Sequence, residues 1–297
     1  MQRIIPCLWF NDQAEEAAAY YQSLFKNSKI VRVRRYTEAG KEIHGRPEGS
    51  VMTVEFELAR YRFMGLNGGP AFELNPAISF YVTLETREEV EALWTGLSDG
   101  GVVMMEMGSY PWSEAYGWVQ DRFGVTWQVS LGKIEDVGQT IVPSMLFIHE
   151  NFGKAEEALN HYVSTFPDST VEGILHYEGT EDETEGTVQH AQFYLSGETV
   201  MVMDNNYPHG FQFNEGISLI LRCQDQAEID AFWEALSADP EAEQCGWVKD
   251  SYGVSWQIVP AHLDELLFDH EPERAARVMN AFMVMKKLDI ETLQSIQ

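Results

Sequence analysis

Covalent chemistry needs a nucleophile, a base and an orienting group at workable spacing. This sequence offers no Ser–His–Asp set and no basic patch. Its nearest approach to a phosphate-cradling glycine loop, Asn67-Gly68-Gly69-Pro70, runs into Phe72-Glu73-Leu74 and not into a helix, so it lacks the strand–turn–helix that a nucleotide-type cofactor requires. The three cysteines, Cys7, Cys223 and Cys245, are far apart and form no C-x-x-C pair, which argues against a disulfide framework or a zinc knuckle and for reduced thiols. His149, His161 and His209 have no useful spacing. What remains is a set of neutral polar and aromatic side chains on strand-like segments, suited to holding a small molecule.

Those segments repeat. Residues 4–36 (IIPCLWFNDQAEEAAAYYQSLFKNSKIVRVRRY) match residues 141–177, pairing Pro6 with Pro143, Tyr21 with Tyr162 and Tyr36 with Tyr177. GWVQDRFGVTWQV from Gly117 matches GWVKDSYGVSWQI from Gly246 without a gap. Each copy reads as two strand–helix–strand–strand–strand units, with single helices set among runs of strands. That pattern predicts an α+β tandem duplication with mixed or antiparallel sheets. In copy one, IIPCLWF reads as a buried strand. Asp12 offers an N-cap for a helix over Ala14 to Phe25, and Thr86 or Glu85 caps a second helix. We expect domains at 1–132 and 141–261, a linker at 133–140 and a helical tail at 262–297. In the tail Pro272 takes a first-turn position, Asp289 caps a last short helix, and the methionines at helical spacing pack internally.

The formal charge of −27 disfavours nucleic acid and anionic membranes as partners and keeps the chain soluble. No apolar run approaches the roughly 20 residues of a membrane span, and the N-terminal stretch turns polar too soon for a signal peptide, so a cytoplasmic location is expected.

Three stretches carry a family resemblance: I-x-P-x-L-x-F followed by A-E-E-A and Tyr20-Tyr21, the G-W-V-x-D-x-[FY]-G-V-x-W-Q hairpin, and the tail R-V-M-x-A-F-x-x-M-K-K-L-D-I. Together they resemble the PhnB-like proteins, some labelled 3-demethylubiquinone-9 3-methyltransferase, of the glyoxalase/bleomycin-resistance/dioxygenase (vicinal oxygen chelate) superfamily. The resemblance implies two βαβββ units per copy folded as a half-open barrel. It also implies, in catalytic members, a divalent metal held by side chains on the first and last strands of the units. Here Gln128 and Gln257 stand where such relatives place a carboxylate, and the positions matched to the opening histidine are Ile5, Ser79, Val142 and Ser218. None of these suits zinc, nickel or iron. A weak alternative site in copy two combines His190, which stands where copy one has Thr53, with Asp204, which stands where it has Asn67, and with Gln257.

Strand alternation puts Ser79 and Tyr81 on one face, and Gln128 with Thr126 on one face. The expected lining of a copy-one cavity is Trp9, Met64, Ser79, Tyr81 and Gln128, with Trp112 and Tyr116 in the loop at its mouth. For copy two it is His190, Met203, Asp204, Ser218 and Gln257. The four hairpin tryptophans, Trp118, Trp127, Trp247 and Trp256, read as core packing, and Asp121 and Asp250 as turn-satisfying carboxylates. Two functions follow: a non-catalytic protein that sequesters or senses an apolar or aromatic metabolite, and a metal-dependent lyase, isomerase or dioxygenase acting on a small oxygenated one. The duplication supplies internally the pairing that one-copy relatives would make as dimers, which predicts a monomer or a loose homodimer.

Overall fold

The structure, a computed structural model, describes residues 2–179 and 183–297. Copy one opens with β1 (Ile4–Phe10), α1 (Ala14–Leu24), β2 (Lys29–Arg35), the single turn α2 (Lys41–His44), β3 (Val51–Leu58) and β4 (Tyr61–Asn67). Its second unit is β5 (Ile78–Leu84), α3 (Arg87–Ser98), β6 (Val102–Tyr110), β7 (Ser113–Gln120) and β8 (Thr126–Leu131), followed by the short α4 (Ile134–Val137). Copy two repeats this as β9 (Ile141–Phe147), α5 (Ala155–Thr165), β10 (Thr170–His176), β11 (Val188–Leu195) and β12 (Glu198–Asp204). Its last unit is β13 (Ile217–Cys223), α6 (Gln226–Leu236), β14 (Trp247–Lys249) and β15 (Ser255–Pro260). That unit has only three described strands, with nothing answering β6. The tail is α7 (Leu263–Leu267), α8 (Pro272–Val284) and α9 (Ile290–Ser295).

The strands form two open mixed sheets, and each draws one unit from each copy. The seven-stranded sheet runs β14-β15-β13-β1-β4-β3-β2, and the eight-stranded sheet runs β10-β11-β12-β9-β5-β8-β7-β6. The joints are antiparallel: β1 pairs with β13 and β5 with β9. First strands thus sit at the centre of each sheet, and the repeat relates one sheet to the other.

Alternation decides which face of each strand meets the helices. In β1, Ile4, Leu8 and Phe10 enter one continuous core shared by both sheets and by α1, α3, α5 and α6, while Ile5 and Cys7 belong to a separate cluster on the far face. The shared core holds each copy together even though its units lie in different sheets. Tyr21 on α1 donates to Asp121 Oδ2 at 2.7 Å, and Tyr162 on α5 donates to Asp250 Oδ2 at 2.7 Å. Each of these carboxylates also takes an indole N–H, from Trp127 at 2.8 Å and Trp256 at 2.9 Å, and two turn amides. Burial raises both carboxyls above the usual aspartate range, against the opposing pull of these donors.

Capping differs in detail from the sequence expectation. Asp12 does not cap α1; the Ala14 amide donates instead to Asn67 Oδ1, at 2.9 Å, from the end of β4. Thr86 caps α3 and Asp289 caps α9 as expected. A distant residue serves α1 because the strand end lies against its first turn, an arrangement that local sequence does not encode.

Candidate functional site

The far face of the eight-stranded sheet can be assembled row by row from the strand register. Ser79 on β5 lies opposite Ser144 on β9, which lies beside Met201 on β12. One step along, Val142, Tyr81, Gln128 and Trp118 follow one another across β9, β5, β8 and β7. Residues directly paired across a sheet share a face, so these side chains converge. Ser79, Gln128 and Ser144 keep only 2, 4 and 2% of their surface. Gln128 is oriented at both ends: Tyr116 donates to its Oε1 at 2.7 Å, and its Nε2 donates to Ser79 Oγ at 2.8 Å. Tyr116 joins Tyr110 and Trp112 in a cluster with ring centroids 5.2–5.5 Å apart, and Trp112 at the β6–β7 turn is largely exposed.

On the other flank, Ala191 and Phe193 point into the helix-side core, so His190 points to the far face, as does Met203 beside Val202. Burial pulls the His190 imidazole below the ordinary histidine range and leaves it neutral at pH 7. Burial likewise raises the Tyr81 and Tyr116 phenols. The central rows are therefore uncharged, with aromatic rings on one flank and thioethers with an imidazole on the other, and Glu172 on β10 stands at the β11 margin, where it accepts from Gln192.

The far face of the seven-stranded sheet repeats the same rows with Cys7 for Ser144, Ser218 for Ser79, Gln257 for Gln128, Trp247 for Trp118 and Met64 for Met201. The amide–serine bond is kept, with Gln257 Nε2 donating to Ser218 Oγ at 2.9 Å. Cys7 sits between them, and burial raises its thiol to about 12 against the pull of hydrogen bonds to Gln257 and Ser218. Here the chain covers its own sheet. Leu288, fully buried, packs with Ile5, Cys7, Ile220 and Val259, and Leu263, Phe282 and Met285 close around them. The Cys245 and Gly246 amides donate to the Met285 and Lys286 carbonyls at 2.7 and 2.8 Å, so the tail runs along the edge where the other sheet has β6. Asp264 on α7 anchors it to Arg32 and to Arg34, the latter at 2.6 Å.

These positions redistribute the residues expected from sequence. Ser79, Tyr81, Gln128, His190 and Met203 are brought onto one face, with Trp112 and Tyr116 at its β6–β7 margin. Met64, Ser218 and Gln257 lie on the other sheet, and so does Trp9, whose indole donates to Gly69 O at 2.8 Å and stands edge-on to Trp247. The split by copy fails because each face takes strands from both copies. Asp204 leaves the set altogether. It points to the helix side and accepts from the Gly153, Ala155 and Val188 amides at 2.8, 3.3 and 2.9 Å, the role Asn67 plays in copy one. His190, Asp204 and Gln257 are thus on three different surfaces and do not form the alternative metal set. The first-strand positions facing Ser79 and Ser218 are Ser144 and Cys7, two residues beyond Val142 and Ile5. Sequence reasoning also missed Trp118 and Met201. Trp127 and Trp256 are core as expected, whereas Trp118 and Trp247 turn to the far faces. The alternation of Trp118 with Val119, which is fully buried, was the available signal.

The superfamily metal was tested against these donors. On the eight-stranded sheet the first- and last-strand positions hold Ser144, Met201, Ser79 and Gln128, and on the seven-stranded sheet Cys7, Met64, Ser218 and Gln257. Neither set contains a carboxylate or an imidazole, and the single thiol is held protonated. The residues do not fit a divalent cation of that type. Among the described residues no group of three or more His, Cys, Asp or Glu side chains is placed to hold one.

Two open mixed sheets, each built from strand–helix–strand units of both copies, give the chain a glyoxalase-like fold. The family model described as 3-demethylubiquinone-9 3-methyltransferase matches residues 2–130 and 139–259, and the chain belongs to that family. The PhnB protein from Bacillus cereus is 39% identical over 44% of this chain and 100% of its own, with a TM-score of 0.41. Glyoxalase I from Zea mays is 11% identical and covers 91% of this chain and 96% of its own at a TM-score of 0.56, a likeness of fold alone. The comparison with curated proteins gave no match. No helix among the described residues is long and apolar enough to cross a membrane.

Proposed function

We propose that this protein binds a small, flat, mostly apolar molecule on the far face of the eight-stranded sheet, sequestering or sensing it without the superfamily's metal. One observation carries the reading. Two sheets with the same Ser–Gln pair, buried on the eight-stranded sheet and with a half-buried glutamine on the seven-stranded one, differ in what packs around it: the protein's own tail on one, and the Tyr110–Trp112–Tyr116 cluster on the other. Aromatic walls around a few oriented neutral groups suit such a ligand. The donor sets give a metal-assisted lyase, isomerase or dioxygenase no carboxylate or imidazole to build on.

The test is a thermal-shift screen of the full chain against planar aromatic and apolar metabolites, repeated with Ser144→Phe. At 100 times its Kd a ligand raises stability by about 2.7 kcal/mol. Binders are expected to shift the wild type and to lose that shift in the variant, whose new ring fills the face. A library that shifts neither protein, alongside measurable turnover of a small oxygenated metabolite, would reject the proposal. The internal pairing of units also supports a monomer or a loose homodimer, which light scattering of the full chain reads directly.

A further inference from the structure

We infer that the molecule held on this face presents a neutral oxygen acceptor, of the aromatic ketone or lactone class, to the indole N–H of Trp118. This rests on the binding role proposed above. Among the described residues the Trp118 Nε1 atom is buried and has no hydrogen-bond partner. An indole nitrogen is a donor only, in a fixed direction, and unlike a hydroxyl it cannot turn to another acceptor. The indoles of Trp9, Trp127 and Trp256 show the ordinary outcome: each donates to an oxygen, at 2.8, 2.8 and 2.9 Å. A buried donor left alone is costly, and such exceptions mark places where a partner belongs.

The location makes the partner specific. Trp118 lies directly across from Gln128, whose carbonyl and amide ends are already engaged with Tyr116 and Ser79. On the next row Ser144 makes no side-chain hydrogen bond among the described residues, so a hydroxyl that can donate or accept stands on the same face. No charged side chain stands on the rows that carry Trp118 and Ser144, and the formal charge of −27 repels anions. A carbonyl on a flat ring system satisfies Trp118 while the rings meet Tyr81 and Tyr116. A charged ligand would leave its charge unpaired.

The experiment uses the full chain and two probes with one frame, 1-indanone and indane, which differ in the carbonyl. Affinities are read by calorimetry and by tryptophan fluorescence. The wild type is expected to prefer the ketone about fivefold to tenfold, the yield of one neutral hydrogen bond. In Trp118→Phe that preference falls to about one, with indane binding retained. A second readout needs no variant: in a ¹⁵N-indole spectrum of the wild type the Trp118 N–H resonance moves downfield with 1-indanone and stays in place with indane. Equal affinities in the wild type, a preference that persists in the variant, or an unmoved resonance under saturating ketone overturns the inference. If both probes bind equally and Ser144→Phe abolishes both, the binding role stands and the acceptor assignment falls. If neither binds at millimolar concentration, both fall.

Discussion

The two far faces descend from one repeat and have been finished in opposite ways. The Ser–Gln pair is common to both, and so is the tryptophan next to the glutamine. Around it, Tyr81 and Tyr116 of the eight-stranded sheet correspond to Ile220 and Cys245 of the seven-stranded sheet, where the tail packs. At the far end of the seven-stranded face Glu55 is buried between Arg62, at 3.0 Å, and Arg222, at 3.1 Å; the corresponding residues of the other sheet are the neutral Gln192, Thr199 and Thr83. One face is locked by charge and by an apolar plug. The other keeps its central polar groups neutral and its cover aromatic, with Glu172 only at its β10 margin. Under the proposed binding role, duplication lets one sheet serve stability while the other keeps a surface for a ligand.

The largest expected effect breaks the locked face. Glu55→Ala removes the buried carboxylate that Arg62 and Arg222 share, leaving Arg222 without that partner while Arg62 keeps Glu57 at 2.6 Å. Removing one partner of a buried ionic group costs about 3–5 kcal/mol, read as a lower urea midpoint at unchanged slope. Gln192→Ala, at the matching place on the other sheet, is half-buried and neutral and should cost less than about 1 kcal/mol. Equal losses at the two sites would remove the claimed division of labour.

Next is the plug. Leu288→Ala removes a fully buried side chain from the cluster with Cys7 and Ile220, and about 2–4 kcal/mol should be lost. Trp112→Ala, on the exposed cover of the other face, should change stability by about 0.5 kcal/mol or less and weaken ligand binding instead. Calorimetric melting with and without ligand separates the two responses. A Trp112 variant that melts early and binds normally would place that residue in the scaffold.

Much of this division was open to sequence and some was closed to it. The duplication, the α+β units, Ser79, Gln128 and the carboxylates under the hairpins follow from alternation and from a gap-free match between the copies. Which units pair does not, because a repeat is equally satisfied when a unit pairs within its copy or across to the other. That single ambiguity sent Trp9 and Met64 to the wrong face. Asp204 went astray through parity: beside Met203 on β12 it necessarily points the other way, and as an acceptor of three amides it serves the first turn of α5. Ser144 was missed by anchoring on Val142, although Pro143 already aligned with Pro6 and so Ser144 with Cys7.

The comparison sharpens with the paired glutamines. Gln257→Leu removes a hydrogen bond to a serine and should cost about 1 kcal/mol of stability, whereas Gln128→Leu removes the equivalent bond and also leaves the buried Tyr116 hydroxyl unpaired and should cost about 2–3 kcal/mol. Only Gln128→Leu should also lower affinity for the ligand, by about threefold to tenfold, because it frees Tyr116 and disorders the wall of the eight-stranded face. Isothermal titration with both variants decides it. Matching losses of affinity would mean that the tail does not close the seven-stranded face.

The smallest effect concerns His190, which has Thr53 as its counterpart. Burial holds its imidazole below the usual histidine range, so in the folded protein it resists protonation that the unfolded chain accepts. The unfolded state then binds more protons as pH falls below about 6.5, and stability declines through that window until the folded group also titrates. His190→Gln removes this contribution, so its stability should fall less steeply than the wild type's between pH 7 and 5, with the two curves parallel above pH 7. Thr53→His on the seven-stranded sheet should not reproduce the slope in reverse unless that position is equally desolvated. Urea melts across the pH series measure the difference. Parallel curves throughout would mean that water reaches His190 freely, and that the eight-stranded face is less enclosed than the burial of Ser144 and Gln128 implies.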